Sequence, residues 1–213
     1  MDPATGPARS PLTPALAAAL TGAAVRVLDL AASRAPTLGA ARLVCLDGPA
    51  GSGKTSLAAA IAGLSPAATV VHLDDLYAGW DGLSGVGQQL DTLLEPLARG
   101  ATGRYRRYDW AAGRFAETVR VAPSPLLVLE GVGSGSAAHA GLATVTAWVA
   151  APEALRRARA VARDGAELAA RWAAWAAAEA ACFAASGVAE RADLVVELPD
   201  AGSGAEASGA PVP

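Results

Sequence analysis

The chain has 213 residues, a formal net charge of −3 and 53% hydrophobic residues, and alanine alone supplies 56 residues, about half of that hydrophobic share. A chain of this length can bury the core of one domain, and its slightly acidic balance gives no reason to expect nucleic-acid binding. Arg, Asp, Gly or Pro interrupts every candidate for a membrane span of ~18 apolar residues, and residues 1–14 lack the pattern of a secretion signal. Cys45 and Cys182 fit no disulfide or metal framework. We therefore expect a soluble, cytoplasmic α/β protein.

The predicted elements alternate between helices and strands along the chain. An amphipathic helix is predicted at 14–33, with Leu16 and Val25 among its apolar residues. Further helices are predicted at 53–64, 86–99 and 153–186, the last with a break at Asp164-Gly165. Strands are predicted at 42–47, 69–73, 104–108, 117–121, 126–129, 144–150 and 193–198. Residues 77–87 are predicted to form a loop, and 199–213 a disordered tail after a single domain of residues 1–198.

This alternation predicts a three-layer α/β fold, in which helices flank a mostly parallel central sheet. Ligands of such sheets bind beyond the carboxyl ends of the strands. The sequence places its most informative motifs at those ends.

The strongest motif follows the first predicted strand. Residues Gly48–Thr55 match the pattern GxxxxGK[ST] in full, between a strand and a helix. Its glycines let backbone N–H groups surround phosphate oxygens, the lysine reaches the β- and γ-phosphates, and the threonine hydroxyl binds Mg²⁺. Lys54 is also the only lysine among 17 basic residues, as expected where an arginine fork could not replace a compact ammonium. We therefore predict that ATP and Mg²⁺ bind here, in contact with the residues Gly48, Pro49, Ala50, Gly51, Ser52, Gly53, Lys54, Thr55 and Ser56.

Carboxylates follow the next two parallel strands. Asp74 and Asp75 come after the strand 69–73, where a carboxylate can accept the proton of a hydroxyl that attacks the γ-phosphate, although a helix cap or a polar loop is the plain alternative. Glu130 ends the most apolar strand, where it can belong to the Mg²⁺ site.

The ordered set of motifs resembles the uridine kinase and phosphoribulokinase-like family of phosphate-loop kinases. The resemblance rests on Gly48–Thr55, Asp74–Tyr77, Tyr108–Trp110, Glu130-Gly131 and an arginine-rich segment, Leu155–Asp164. Together these motifs span more than half of the chain. The resemblance implies the phosphate-loop NTPase fold and ATP-dependent transfer of phosphate to the hydroxyl of a nucleoside similar to uridine or cytidine.

The resemblance also implies roles for individual residues. Asp74 would be the general base and, with Thr55 and Glu130, part of the magnesium site. Lys54, Arg159 and Arg163 would act on the transferred phosphate. By the resemblance Tyr108 and Asp109 would contact the acceptor, and we expect Asp75 and Tyr77 of the D-D-L-Y segment to do so as well. Trp80 and Trp110 depart from the family's pattern, and we predict that they stack on the acceptor because both lie in predicted loops near the site. Where uridine kinases have a histidine that contacts the base, this chain has Gly113, so the acceptor can differ from uridine.

Two groups of arginines keep two interpretations each. Arg156, Arg159 and Arg163 share a helix face, which is either a lid (about residues 153–165) that closes over the phosphates or a solvated stripe. Arg104, Arg106 and Arg107 either attract an anionic acceptor or protect an edge strand from aggregation.

The function itself also keeps alternatives. The acceptor could be a nucleoside monophosphate, a vitamin alcohol or an antibiotic hydroxyl instead of a nucleoside, and a nucleotide-binding regulator without transfer chemistry is the alternative from another class. The sequence does not decide between ATP and GTP, and a homo-oligomer is an open possibility.

Overall fold

The computed structural model describes residues 13–199, without the side chains of Arg163, Asp164 and Glu167. The predicted tail therefore lies outside the described residues, apart from Pro199. The helices are α1 (Pro14–Ser33), α2 (Lys54–Leu64), α3 (Val86–Ala98), α4 (Glu153–Ser186) and α5 (Val188–Arg191). The strands are β1 (Arg42–Asp47), β2 (Ala68–His72), β3 (Gly103–Asp109), β4 (Arg114–Val121), β5 (Leu126–Glu130), β6 (Val145–Ala150) and β7 (Leu194–Glu197).

Five of these strands form a parallel sheet in the order β2-β5-β1-β6-β7. The register pairs Glu130 with both His72 on β2 and Leu46 on β1, so the carboxyl ends of three neighbouring strands meet at one edge. The remaining two strands, β3 and β4, form a separate antiparallel hairpin with an irregularity between Arg106 and Tyr108. The mostly parallel sheet predicted from the sequence is present.

Alternate residues of the central strands supply two hydrophobic cores, because successive side chains point to opposite faces of a sheet. On β1, Val44 and Leu46 pack with α1 and α2, whereas Leu43 and Cys45 pack with α3, the hairpin and Trp175 of α4. A fully buried leucine of this kind contributes about 1.5–3 kcal/mol to folding. Helices and the hairpin thus cover both faces and leave the carboxyl edge for the loops.

Helix α1 begins and ends at the predicted residues, and its apolar residues Leu16 and Leu20 are buried, whereas Val25 is not. Val27 is fully buried, while Val25 is 41% exposed. By length and composition α1 could cross a membrane. In the structure six of its residues are buried, and they belong to the core that α1 shares with α2.

Short 3₁₀ helices form at Leu73–Asp75, Gly79–Gly85 and Ala137–Leu142. The first begins at the residue where the sequence predicted the end of a strand, the second lies in the predicted loop 77–87, and no element was predicted for the third. The predicted break in the long C-terminal helix is confirmed, because Gly165 has a non-helical backbone with φ of 76° and ψ of −156°. That conformation is open to glycine and strained for other residues. The first segment of α4 is therefore set off from the second by a kink.

Candidate active site

The loop between β1 and α2 wraps around a point at the carboxyl edge of the sheet. Gly48, Gly51 and Gly53 all have positive φ, which lets their backbone turn inward. A Cβ atom at Gly48 would overlap the carbonyl of Val149, and one at Gly51 would overlap the carbonyl of Arg156. The fold thus requires glycine at these two positions because neighbouring backbone lies against them.

Lys54 folds back over this loop. Its side chain is 7% exposed, and Nζ donates hydrogen bonds to the carbonyls of Gly48 (2.6 Å) and Pro49 (3.0 Å). The ammonium is therefore held across the mouth of the loop, where incoming phosphate oxygens would meet it.

The hydroxyl of Ser52 is buried, and no partner for it was found among the described residues. Because a buried polar group without a hydrogen bond is costly, a ligand in the loop would satisfy it. The loop's chemistry thus fits a bound polyphosphate.

Glu130 connects this loop to the next strand. Its Oε1 accepts a hydrogen bond from the Thr55 hydroxyl at 3.0 Å and lies 2.5 Å from Nδ1 of His72. The hydrogen bond to Glu130 is the main cause that raises the pKa of His72 above its ordinary value. We predicted Thr55, Glu130 and Asp74 as magnesium ligands without any part for His72. The structure joins Thr55, Glu130 and His72 by hydrogen bonds, and the charge of Asp74 acts on His72.

A hydroxyl and a buried carboxylate form a donor set that suits Mg²⁺, which takes one or two protein oxygens and completes its shell with water and substrate phosphates. Among the described residues no group of three or more His, Cys, Asp and Glu side chains comes together as a metal site. Thr55 and Glu130 therefore fit a magnesium ion that arrives with the nucleotide.

The two aspartates after β2 have different surroundings. Asp74 lies in the Leu73–Asp75 helix, its charge acts on both His72 and the Tyr77 hydroxyl, and its backbone carbonyl accepts a hydrogen bond from Nε1 of Trp110 at 2.9 Å. Burial is the main cause that raises the pKa of Asp75. Burial and then the Asp75 carboxylate raise the pKa of Tyr105 on β3 to about 12. Asp75 thus lies against the hairpin.

Tyr77, predicted to contact the acceptor, belongs to the core instead. It is 0% exposed, its hydroxyl donates to the carbonyl of Val132 at 2.8 Å, and its ring packs edge-on against Trp175. The sequence D-D-L-Y does not reveal this, because the short helix that turns the side chain inward has no distinctive pattern.

Three of the other predicted acceptor residues, Trp80, Trp110 and Tyr108, form a row of aromatic rings. Ring centres of Trp80 and Trp110 lie 5.1 Å apart, and those of Trp110 and Tyr108 lie 5.3 Å apart. Asp109 caps the hairpin turn by accepting a hydrogen bond from the Ala112 amide at 2.9 Å. Trp80, Trp110 and Tyr108 therefore remain together beside Asp74, whereas Asp109 has a structural partner.

Two of the hairpin arginines make contacts within the hairpin. Arg107 forms a two-pronged ion pair with Glu117 on the neighbouring strand at 2.6 and 3.1 Å. The guanidinium of Arg106 lies 5.0 Å from the ring centre of Phe115. These contacts favour the structural interpretation of both residues over attraction of an anionic acceptor.

The first segment of α4 lies directly on the phosphate-binding loop. Arg156 donates to the carbonyl of Ala50 at 3.2 Å and to that of Ala151 at 3.1 Å. Arg159 donates to the carbonyl of Pro199 at 3.0 Å, and the side chain of Arg163 lies outside the described part of the chain. Arg156 therefore joins the first segment of α4 to the phosphate-binding loop.

Two buried carboxylates that lie near the loop were not identified from the sequence. Asp47, at the end of β1, accepts hydrogen bonds from the amides of Gly48, Gly133 and Gly135 at 2.7–3.0 Å. Glu179 of α4 is 3% exposed and accepts hydrogen bonds from the Ala50 amide and from Nε1 of Trp175, both at 2.7 Å. The available signal for Glu179 was an acidic residue in an alanine-rich stretch of α4, four residues after a tryptophan.

Comparison with solved structures identifies the fold. The chain superimposes on the "Possible Uridine Kinase from Bacillus stearothermophilus" with a TM-score of 0.60 and 18% identity, over 85% of this chain and 99% of that chain. It superimposes on the "putative fructose transport system kinase from Silicibacter sp. TM1040" with a TM-score of 0.52 and 22% identity, over 83% of this chain and 98% of that chain. The chain has the phosphate-loop kinase fold. No family model matches the sequence, and no curated protein matches it at a significant level.

Proposed function

We propose that this phosphate-loop protein is a kinase that uses ATP and Mg²⁺ to phosphorylate a hydroxyl group of a small molecule, and that it acts in the cytoplasm. The proposal rests on a group of side chains that lie close together at the carboxyl edge of the parallel sheet. There Lys54 closes a phosphate-binding loop, Thr55 is hydrogen-bonded to the buried Glu130, and Asp74 follows the adjacent strand. The kinase-like neighbours support the same chemistry.

The proposed mechanism assigns one task to each of these groups. Backbone amides of the loop and the Lys54 ammonium bind the β- and γ-phosphates of ATP. Thr55 and Glu130 would hold a magnesium ion, which would offset phosphate charge. Asp74 accepts the proton of the acceptor hydroxyl as its oxygen bonds to the γ-phosphorus. The bond from that phosphorus to the β-phosphate oxygen breaks, and ADP leaves.

The first experiment measures ADP formation with a panel of acceptors, and it also tests the alternative of a regulator that binds nucleotide without transferring phosphate. Uridine and cytidine are the acceptors that the resemblance suggests, and the same assay includes a nucleoside monophosphate, a vitamin alcohol and an antibiotic that carries a hydroxyl group. A regulator that binds nucleotide without transferring phosphate would give background ADP formation with every acceptor. It would also be indifferent to replacement of Asp74.

The Asp74→Asn substitution tests the proposed base against its neighbour. It keeps the shape of the side chain and removes the proton acceptor, so we expect kcat to fall about a hundredfold or more while ATP affinity changes little. Asp75→Asn is the matched control and should cost far less, because Asp75 lies against the hairpin. ADP release with saturating acceptor measures both. Equal or reversed losses would exclude Asp74 as the base.

A further inference from the structure

A cavity with a volume of about 610 Å³ lies beside the site, outside the loop itself. Its walls are the Gly79–Gly85 helix, α3, the segment after β5 and the second half of α4. The lining is mainly apolar, with Leu83, Val86 and Leu90 on one side and Ala174, Ala178 and Ala181 on the other. A volume of this size is in the range of small-molecule pockets.

Two tryptophans join this cavity to the reaction site. Trp80 lines the cavity and packs against Trp110, whose indole N–H is bonded to the carbonyl of Asp74. Trp175 also lines it and is bonded to Glu179, which in turn holds the amide of Ala50 in the phosphate-binding loop. Two side chains thus connect the cavity to each part of the site: Trp80 and Trp110 lead to the backbone of Asp74, and Trp175 and Glu179 lead to the phosphate-binding loop.

Charged and polar side chains lie in the cavity lining beside Trp80 and around His139. Asp81 adjoins Trp80 in the chain, and the guanidinium of Arg171 lies 5.7 Å from the Trp80 ring centre, so charged groups lie at the end near the reaction site. His139 has both ring nitrogens within hydrogen-bond distance of protein groups, at 2.9 Å from Ser136 and 2.8 Å from Asp91. The remainder of the lining offers mainly carbon atoms.

We propose that this cavity receives the body of the phosphate acceptor, and that the acceptor is an alcohol with an apolar aromatic or alicyclic body rather than a nucleoside. This inference rests on the proposed kinase function. Hydrogen-bonding side chains occupy only part of the lining (Asp81, Ser84, Ser136, His139, Arg171 and Ser186), and both ring nitrogens of His139 already have protein partners. The carbonyl and N–H groups of a pyrimidine would therefore meet apolar atoms over most of the cavity surface. An apolar body would pack against the alanine and leucine walls, with its hydroxyl end beside Asp81 and Trp80, on the side of the cavity where Trp80 meets Trp110 and Trp110 bonds to the Asp74 backbone.

Cys182 provides a reporter of occupancy that does not depend on catalysis. It lines the cavity and is partly exposed, whereas Cys45 is buried. Alkylation by N-ethylmaleimide, followed by intact mass and peptide mapping, therefore measures access to Cys182. The probes are three apolar alcohols (2-naphthylethanol, tryptophol and cyclohexylethanol) and two nucleosides (uridine and cytidine). We expect at least one apolar alcohol to slow alkylation about tenfold at saturation and the nucleosides to leave it unchanged. Protection by the nucleosides alone, or by none of the five, would overturn the inference.

Two phenylalanine variants of α4 test whether the molecule that binds in the cavity is also the molecule that is phosphorylated. Ala178→Phe places a ring in the cavity, while Ala177→Phe adds the same ring at an exposed neighbouring position of α4. We expect Ala178→Phe to lower kcat/KM for the protecting alcohol at least tenfold, with the KM for ATP unchanged and Ala177→Phe close to the unmodified protein. Ala181→Leu is a smaller filling variant that repeats the test if Ala178→Phe does not fold.

The two proposals fail in different ways. Uridine-dependent ADP formation that is insensitive to Ala178→Phe would overturn the cavity inference and leave the kinase. Protection of Cys182 by an apolar alcohol, without ADP formation from any acceptor, would overturn the kinase, and the molecule in the cavity would then not be an acceptor.

Discussion

The carboxylate of Glu179 links two parts of the chain that are far apart in sequence. One oxygen accepts hydrogen bonds from the Ala50 amide in the phosphate-binding loop and from the indole of Trp175 in the cavity wall. Burial is the main cause that raises its pKa above the ordinary value, and the two hydrogen bonds and the charges of Lys54 and Arg156 act in the opposite direction. The position thus needs an acceptor, while its negative charge is costly.

Glu179→Gln separates these two contributions. Glutamine keeps an oxygen that can accept both hydrogen bonds and does not titrate. Because the folded-state pKa of Glu179 is raised, the folded protein retains the proton that the unfolded chain loses, and stability falls as pH rises from about 4.5 through the folded pKa. We therefore expect Glu179→Gln to gain stability relative to the unmodified protein between pH 5 and pH 8. Urea unfolding at both pH values measures the difference.

The control for this prediction is Glu179→Ala, which removes the acceptor. Two buried N–H groups would then lose their partner at a cost of about 1–3 kcal/mol each, so this variant should be less stable at both pH values. A stability difference between the glutamine variant and the unmodified protein that stays constant or shrinks with rising pH would contradict the charge argument.

Helix α4 connects the predicted lid segment, the phosphate-binding loop and the cavity. Its first segment carries Arg156 to the loop, Gly165 interrupts it, and its second segment supplies Trp175 and Glu179. The buried residues Ala160, Leu168 and Trp172 form a small cluster, against which the partly buried Ala50 and Trp80 pack, and the guanidinium of Arg156 lies 5.8 Å from the ring centre of Trp172. Few buried contacts and a backbone break are the properties of a segment that can open at low cost.

Arg156 tests the lid at the scale of this element. If its guanidinium turns onto the phosphates when the segment closes over both substrates, the contact forms mostly in the transition state. Arg156→Ala should then lower kcat more than it raises the KM for ATP, and Arg157→Ala, at the exposed adjacent position, should do neither. Steady-state kinetics gives the two values. Arg159→Ala belongs in the same series, because the sequence resemblance assigns Arg159 the same role.

Hydrogen exchange over residues 153–165 gives a second measurement of the lid. We expect protection to rise when a non-hydrolysable ATP analogue and an acceptor are both present. Unchanged exchange together with unchanged kinetics in the Arg156 and Arg159 variants would make this segment part of the scaffold.

Across the whole molecule, the sequence predicted those features that depend on local pattern. The strands 42–47, 126–129 and 144–150 were located within one residue, because apolar runs bounded by glycine, proline or charge mark buried parallel strands. The break at Gly165 was also predicted from a local pattern, the pair Asp164-Gly165 within the helix. The match of Gly48–Thr55 to a motif with a physical mechanism gave the phosphate-binding loop.

The remaining features depend on contacts between distant residues. Glu179 and Ala50 are 129 positions apart, and the network of Asp47 with Gly133 and Gly135 spans more than 80 positions. The inward rotation of Tyr77 follows from its packing on Trp175. The cavity arises where alanines on α4 leave space opposite Leu83 and Val86, which only the packed structure reveals.

Nucleotide binding should stabilise the whole molecule, because the loop contacts β1, α2 and both segments of α4. With ATP analogue and Mg²⁺ at a hundred times the dissociation constant, linkage predicts a gain of about 2.7 kcal/mol in the free energy of unfolding. For a domain of this size that gain corresponds to a rise in Tm of about 5–11 °C. Differential scanning fluorimetry with increasing analogue measures it.

Lys54→Ala is the control for this last prediction. The substitution removes the ammonium that crosses the mouth of the loop, so the rise in Tm should shrink or disappear at the same analogue concentration. Asp74→Asn should keep the full rise, since a base for the acceptor hydroxyl is not needed to bind nucleotide. An equal rise in the Lys54 variant would mean that the nucleotide binds elsewhere. No rise in the unmodified protein would show that the loop does not bind this nucleotide.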